Sequence, residues 1–254
     1  MSDTLDFHLD DFEPADAESQ ATEQRIWPGD LTVLGEHHTR PYGSHSFVVA
    51  HDRSVTWGVP GAPQLVAIAV ARDLNHKTFT YQAAYHPTLA FAQNWLIERG
   101  CPQEQIGQLC EGFMTPADEL SSRIEQKIRE SGGRYEVLDS FTSDFDPAET
   151  WTLVRDGHAE QAPVRVFLET GNFDSQTYTV REGAFLDEKA ARGWLDERDA
   201  PLPEPPEYRS EAAALRSPVA TGRTSTGALP AATGQAAASA VLPLSAPHAT
   251  RGAK

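Results

Sequence analysis

The chain carries one short signature twice, in places that constrain its architecture. "WLIERGCP" spans residues 95–102 and "WLDERDAP" spans 194–201, each reading as the end of an amphipathic helix that runs into a proline. Helix ends share Leu, Glu and Arg for reasons of propensity alone, so the weight falls on what precedes them. Val33-Leu34 answers Val137-Leu138, Thr56-Trp57 answers Thr150-Trp151, Ala62-Pro63 answers Ala162-Pro163, Thr80-Tyr81 answers Thr177-Tyr178, and Trp95-Leu96 answers Trp194-Leu195. These anchors keep their order, and their differences in spacing fall in predicted loops. A chain written this way folds as two copies of one small unit.

Each copy reads as a unit of about four strands followed by a helix, with five candidate strands in the first copy and four in the second. In the first, "LTVLGE" at 31–36, "SFVVAHD" at 46–52, "SVTWGV" at 54–59, "QLVAIAVAR" at 64–72 and "KTFTYQAA" at 77–84 are dense in β-branched and aromatic residues and bounded by turn formers. A helix follows, with Leu89, Ala92 and Leu96 on one face. In the second, strands at 134–142, 149–157, 163–171 and 175–183 precede a helix placing Leu186, Ala190 and Trp194 together. Between them, "TPADELSSRIEQKIRES" predicts a connecting helix capped by Thr115, with Leu120, Ile124 and Ile128 every four residues. The expected fold class is α+β: two tandem ββββα units, antiparallel sheets each covered by a helix, related by a pseudo-twofold.

The layout of "TFTYQAAYHPTLAFAQNWL", an aromatic-bearing last strand, a proline and then a helix with Phe and Leu, resembles uncharacterised ββββα domains of actinobacteria, over residues 46–97. Those domains have no established chemistry. The resemblance implies a lineage and carries over no catalytic residue.

The expected domains are a disordered acidic segment at 1–24, a first unit at 25–112, the connecting helix with a second unit at 113–200, and a disordered Pro/Ala/Ser-rich tail at 201–254. The first 24 residues hold eight carboxylates and no Lys or Arg. The tail is too poor in large apolar residues to offset its ordering entropy. Within it, "LPEPPEY" at 202–208 is the stretch best suited to polyproline II and to recognition by a partner.

Net charge is −16 without a basic stripe, which disfavours nucleic acid as a partner. No apolar run approaches membrane-spanning length, and the acidic start lacks the features of a signal peptide, so the expected location is cytoplasmic. Cys101 and Cys110 are too few for a disulfide framework and read as reduced thiols, with a redox pair as the alternative. No cofactor motif is present.

Histidine is the most suggestive residue type. "EHHTRPYGSHSFVVAHD" holds Glu36, His37, His38, His45, His51 and Asp52, donors that suit a metal if they converge. Neighbours on a strand point to opposite faces, so His37 and His38 are not expected to share an ion. Ser44-His45 and His51-Asp52 juxtapose triad residue types without a nucleophile elbow. Trp57 and Trp151 read as core residues or as matching walls of a groove. The expected function is non-enzymatic binding of a protein or small ligand. The alternatives are a metal-dependent or hydrolytic enzyme using segment 36–52, and an acidic inhibitor or immunity-type protein masking a basic partner.

Overall fold

The computed structural model describes residues 5–39, 43–55, 60–107, 114–143, 145 and 147–208. The protein is α+β and contains two five-stranded sheets. The first is built from β1 (Glu13–Pro14), β2 (Leu31–His38), β3 (His45–Asp52), β4 (Leu65–Asp73) and β5 (Thr78–His86), in the spatial order β1-β5-β4-β3-β2. The second uses β6 (Thr115–Pro116), β7 (Tyr135–Ser143), β8 (Glu149–Asp156), β9 (Val164–Asn172) and β10 (Thr177–Phe185), in the order β6-β10-β9-β8-β7. Four long antiparallel strands in each sheet are joined by one very short parallel strand at the edge.

Helices α1 (Ala17–Arg25), α2 (Leu89–Glu98), α3 (Gln103–Ile106), α4 (Glu119–Arg129) and α5 (Glu188–Glu197), with 3-10 turns at Pro28–Asp30 and Gly132–Arg134, complete the described elements. The expected connecting helix is α4, and it opens the second half as α1 opens the first. Both begin at the same local device. In Pro14-Ala15-Asp16 and Pro116-Ala117-Asp118 the proline sits on the edge strand and the aspartate caps the helix, each carboxylate accepting from the backbone N–H of Ser19 or Ser121 at 2.7 Å. Those serines then take the N–H of Tyr81 and of Val180 from the adjacent strand. The cap of α4 is therefore Asp118, one turn after the expected Thr115, because Thr115 and Pro116 are committed to strand pairing.

The acidic first segment, expected to be disordered, is structured from residue 5 onward. Leu5 and Phe7 are buried, Leu9 and Phe12 pack beside them, and the acidic residues between them face outward. At the other end residues 201–208 lie against the second sheet rather than in a free tail, while 209–254 fall outside the described residues. Of the expected strand at 54–59, residue 54 lies in a turn, residue 55 is 3-10 in conformation, and 56–59, with Thr56 and Trp57, fall outside the described residues.

Alternation along the strands assigns the two faces of each sheet. Val48, Ala50, Val66, Ile68, Val70, Phe79 and Tyr81 face α1 and the N-terminal segment, whereas Phe47, Val49, Ala67 and Ala69 face Ala92 and Leu96 of α2. The opposite side of α2 presents Ala90 and Phe91 to the second sheet, where Phe91 meets Tyr135 and Phe167 edge to face beside Ile124 and Ile128 of α4. Asn94 exchanges two hydrogen bonds with Gly132 across the same junction. The far face of the second sheet, with Leu153, Val164, Val166 and Phe185, is closed by α5 through Ala191, Trp194 and Leu195. The stripe of α5 is thus shifted from the expected Leu186, Ala190 and Trp194, because capping by Asp187 starts the helix after Leu186 and leaves that side chain exposed.

His86, at the end of β5, lies against Trp95, and its Nε2 is enclosed without a hydrogen-bond partner. Burial first, and then the charge of Arg99, hold its pKa down to about 4. A base depressed in the folded state contributes stability that is present above its unfolded value and is lost as pH falls through the folded one. Denaturant titrations of His86→Phe are expected to show less stability loss between pH 6.5 and 4 than the parent chain. Parallel curves for the two proteins would rule this out.

Candidate functional site

The outer face of the first sheet is incompletely covered. A cavity of about 910 Å³ opens there between the N-terminal segment and the ends of β2 and β4, within the range of roughly 300–1,000 Å³ typical of small-molecule sites. Leu5, Phe12, Val33, Leu34 and Leu74 supply apolar wall, and Glu36, His38, Ser46, Arg72 and Lys77 supply polar groups.

Besides His8 of the N-terminal segment, one strand histidine reaches this cavity, and a β-bulge decides which. Val33 pairs with Ala50, but Gly35 pairs with Val49, so the strand takes an extra residue at Leu34 and its alternation flips. Glu36 and His38 then share the cavity face with Val33, and His37 turns to the α2 face. The same irregularity recurs in the second half between Val137 and Asp139, again at the leucine of a Val-Leu pair.

The polar groups form a relay. Glu36 Oε2 stands 3.4 Å from His38 Nε2, His38 Nδ1 is 2.7 Å from Ser46 Oγ, and Arg72 Nη2 donates to Ser46 Oγ at 2.9 Å. The partners favour one tautomer, with the Nε2 proton toward Glu36 and the Ser46 hydroxyl donating to Nδ1. Ser46 itself is 1% exposed. Arg72 also donates to the carbonyls of Gly43 and Phe7, tying the β2–β3 loop and the N-terminal segment to β4. Burial lowers its pKa. Among the described residues no carboxylate lies within salt-bridge distance of this guanidinium, so its charge is met by neutral oxygens alone.

The remaining histidines go elsewhere. His37 and His45 each stack with Phe47, with ring centroids 6.3 and 6.0 Å away, and His51 Nε2 lies 2.8 Å from Gln64 Oε1. Burial, and then the charge of His38, lower the pKa of His37. The four candidate ligands His37, His38, His45 and His51 are therefore divided between two faces of one sheet. No cluster of three or more His, Cys, Asp or Glu placed to hold a metal occurs among the described residues.

The paired-tryptophan groove is not brought together either. Trp57 lies outside the described residues. Trp151 stacks on Phe141 at 6.2 Å, and strand register makes Phe47 its counterpart in the first half. Cys101 is a buried thiol pushed up to about 12 by desolvation, which suits a packing role, while Cys110 is outside the described residues.

Sequence reasoning found Glu36 and His38 but not Ser46 as their partner, and it missed Arg72. A single arginine at the end of an apolar strand carries no motif; only the meeting of β3, β4 and residue 7 gives it meaning. No helix among the described residues is long and apolar enough to cross a membrane. Comparison with protein-family models, curated proteins and solved structures returned no match.

Proposed function

We propose that the protein is a binding protein whose first-half cavity takes a small amphipathic anion, the apolar body against Leu5, Phe12, Val33 and Leu74 and the anionic head at Arg72. The observation that carries this reading is the partly buried guanidinium of Arg72 at the cavity wall, with no carboxylate within salt-bridge distance among the described residues, Asp6 and Glu36 lining the same cavity elsewhere. An anionic head would supply the charge compensation that backbone oxygens leave incomplete. Titration with anilinonaphthalene sulfonate is expected to give saturable one-to-one binding. Arg72→Met and Leu74→Glu are each expected to weaken it about tenfold, near 1.4 kcal/mol. Leu74 is half-exposed, so its variant keeps the fold intact; unchanged affinity in both variants would sink the proposal.

A second reading, acyl transfer through Ser46, is favoured by the Glu36–His38–Ser46 relay. Against it stand the burial of Ser46 and the Arg72 donor already seated on its oxygen. A fluorophosphonate that labels the parent chain and not Ser46→Ala would favour this alternative; the binding reading expects no label at Ser46.

We also infer that the halves descend from one duplicated unit stacked head to tail, in place of the twofold relation expected from sequence. Support comes from the shared Pro-Ala-Asp-x-x-Ser cap and the recurring bulge. It comes too from α2, which gives Ala90 and Phe91 to the second sheet where Leu5 and Phe7 cover the first.

A further inference from the structure

A buried cluster of charge lies on the second sheet, remote from the first cavity. Arg165 on β9 is 2% exposed at its side chain, and its Nε and Nη1 have no hydrogen-bond partner. Around it the strands, α4 and the 3-10 turn at Gly132–Arg134 provide two pairs: Arg134 grips Asp156 with two bonds of 2.7 Å, and Lys127 grips Glu182 with two of 2.9 Å. Asp156 and Glu182 approach Arg165 no closer than 3.5 and 3.7 Å. Two carboxylates thus serve three cations, and the third carboxylate comes from elsewhere in the chain.

It comes from residues 202–208, which lie in a groove built for them. Leu202 sits where a side chain on Gly183 would stand, since a Cβ there would fall 2.4 Å from Leu202 Cδ1. The Pro203 carbonyl accepts from Ala184 N–H at 2.9 Å, extending the open edge of β10. Pro205 is buried. Glu207 Oε1 then reaches Arg165 Nη2 at 2.9 Å, and Tyr208 donates to Glu182 Oε2 at 2.6 Å with its ring beside Lys127. Beside this segment a cavity of about 670 Å³ remains, lined by Lys127, Arg134, His158 and Arg165. Edge pairing, an apolar pocket and a charged pocket at fixed spacing are the elements by which extended peptides are recognised.

We propose that this groove is a binding site for an acidic peptide of a partner protein, one carrying a carboxylate followed by an aromatic residue, and that residues 202–208 hold it closed in cis. The segment is the in-chain version of the ligand. A partner gains the site only by displacing it, because the tether gives the segment an effective concentration of about millimolar. With Glu207 withdrawn, Arg165 keeps only Asp156 and Glu182 at 3.5 and 3.7 Å, both already bonded to Arg134 and Lys127, and this shortfall of negative charge favours capture of an anionic replacement.

The test uses the full chain and a fluorescein-labelled peptide of sequence Leu-Pro-Glu-Pro-Pro-Glu-Tyr, followed by polarisation. The double variant Glu207→Ala, Tyr208→Ala weakens the cis contact and is expected to bind the peptide at least about tenfold more tightly than the parent chain. A peptide with Gln for its second Glu is expected to lose about tenfold. Arg165→Met added to the double variant is expected to abolish binding. Because Arg165 is deeply buried, Lys127→Met at the groove's rim provides a milder variant, expected to weaken binding several-fold. Equal affinity of the parent and the double variant, or equal affinity for the Glu and Gln peptides, would overturn the proposal.

Discussion

Phe91→Ala is expected to remove about 3–5 kcal/mol of stability, the range for a buried phenylalanine truncated to alanine. Phe91 is 4% exposed and belongs to α2, the layer between the two sheets. Its ring touches Tyr135 and Phe167 of the second sheet, while Ala92 and Leu96 of the same helix face the first. The cavity it leaves therefore opens at the junction rather than within either half. A fall in Tm on the order of 10 °C follows for a folded region of this size. Leu186→Ala, at a residue 79% exposed, is the control and is expected to lie within about 0.5 kcal/mol of the parent chain. Equal melting curves for Phe91→Ala and the control would show that α2 does not join the sheets energetically.

The second large effect belongs to Asp156. Its side chain is fully buried, and both oxygens are engaged by Arg134, with Arg165 beyond. Asp156→Ala leaves two cations short of a partner and is expected to cost about 3–5 kcal/mol, most of it the penalty of an uncompensated buried charge. Burial alone would raise the Asp156 pKa, but the Arg134 bonds, the backbone N–H of His158 and the two guanidinium charges together lower it. A carboxylate depressed in the folded state adds stability that is present above its unfolded pKa and is lost as pH falls through the folded one. The gap between parent and Asp156→Asn should accordingly narrow as pH drops below the ordinary carboxylate range. A gap independent of pH would assign the loss to packing instead of charge.

Much of this architecture was legible from residues. Density in β-branched and aromatic residues marks the long strands, and the Trp-Leu pairs near 95 and 194 fall on helices that cover their sheets. The Val-Leu anchors at 33–34 and 137–138 prove to be bulge sites. In the N-terminal segment the high charge masks the apolar pattern beneath it. "LDFHLDDF" alternates apolar and polar residues from Leu5 to Asp10, and that period is what places Leu5 and Phe7 inward. Helix α1 buries Ser19 and Thr22, so it has no apolar stripe to detect. Its signal was the Pro-Ala-Asp cap it shares with α4. Matching Trp151 to Trp57 by identity failed for another reason: hydrogen-bond register, not residue type, sets equivalence, and it leads to Phe47.

The polar sites were harder to see. Ser46 meets His38 only because β2 carries the bulge, and Arg165 reads from sequence as one charge inside an apolar strand. Its meaning depends on a contact 42 residues further along the chain, with Glu207. No local period encodes a contact of that kind.

Helix α5 occupies on the second sheet the place that α2 holds on the first, yet its outward positions differ. Where α2 has Ala90 and Phe91, α5 has Lys189 and Ala190, both exposed. A stack of such units grows by offering each new sheet an apolar helix face, as any solenoid does. Lysine at this point ends the growth: a further sheet would have to bury an unpaired ammonium group and find no aromatic ring to pack against. The outer face of α5 therefore lacks the apolar, aromatic surface by which α2 receives the second sheet.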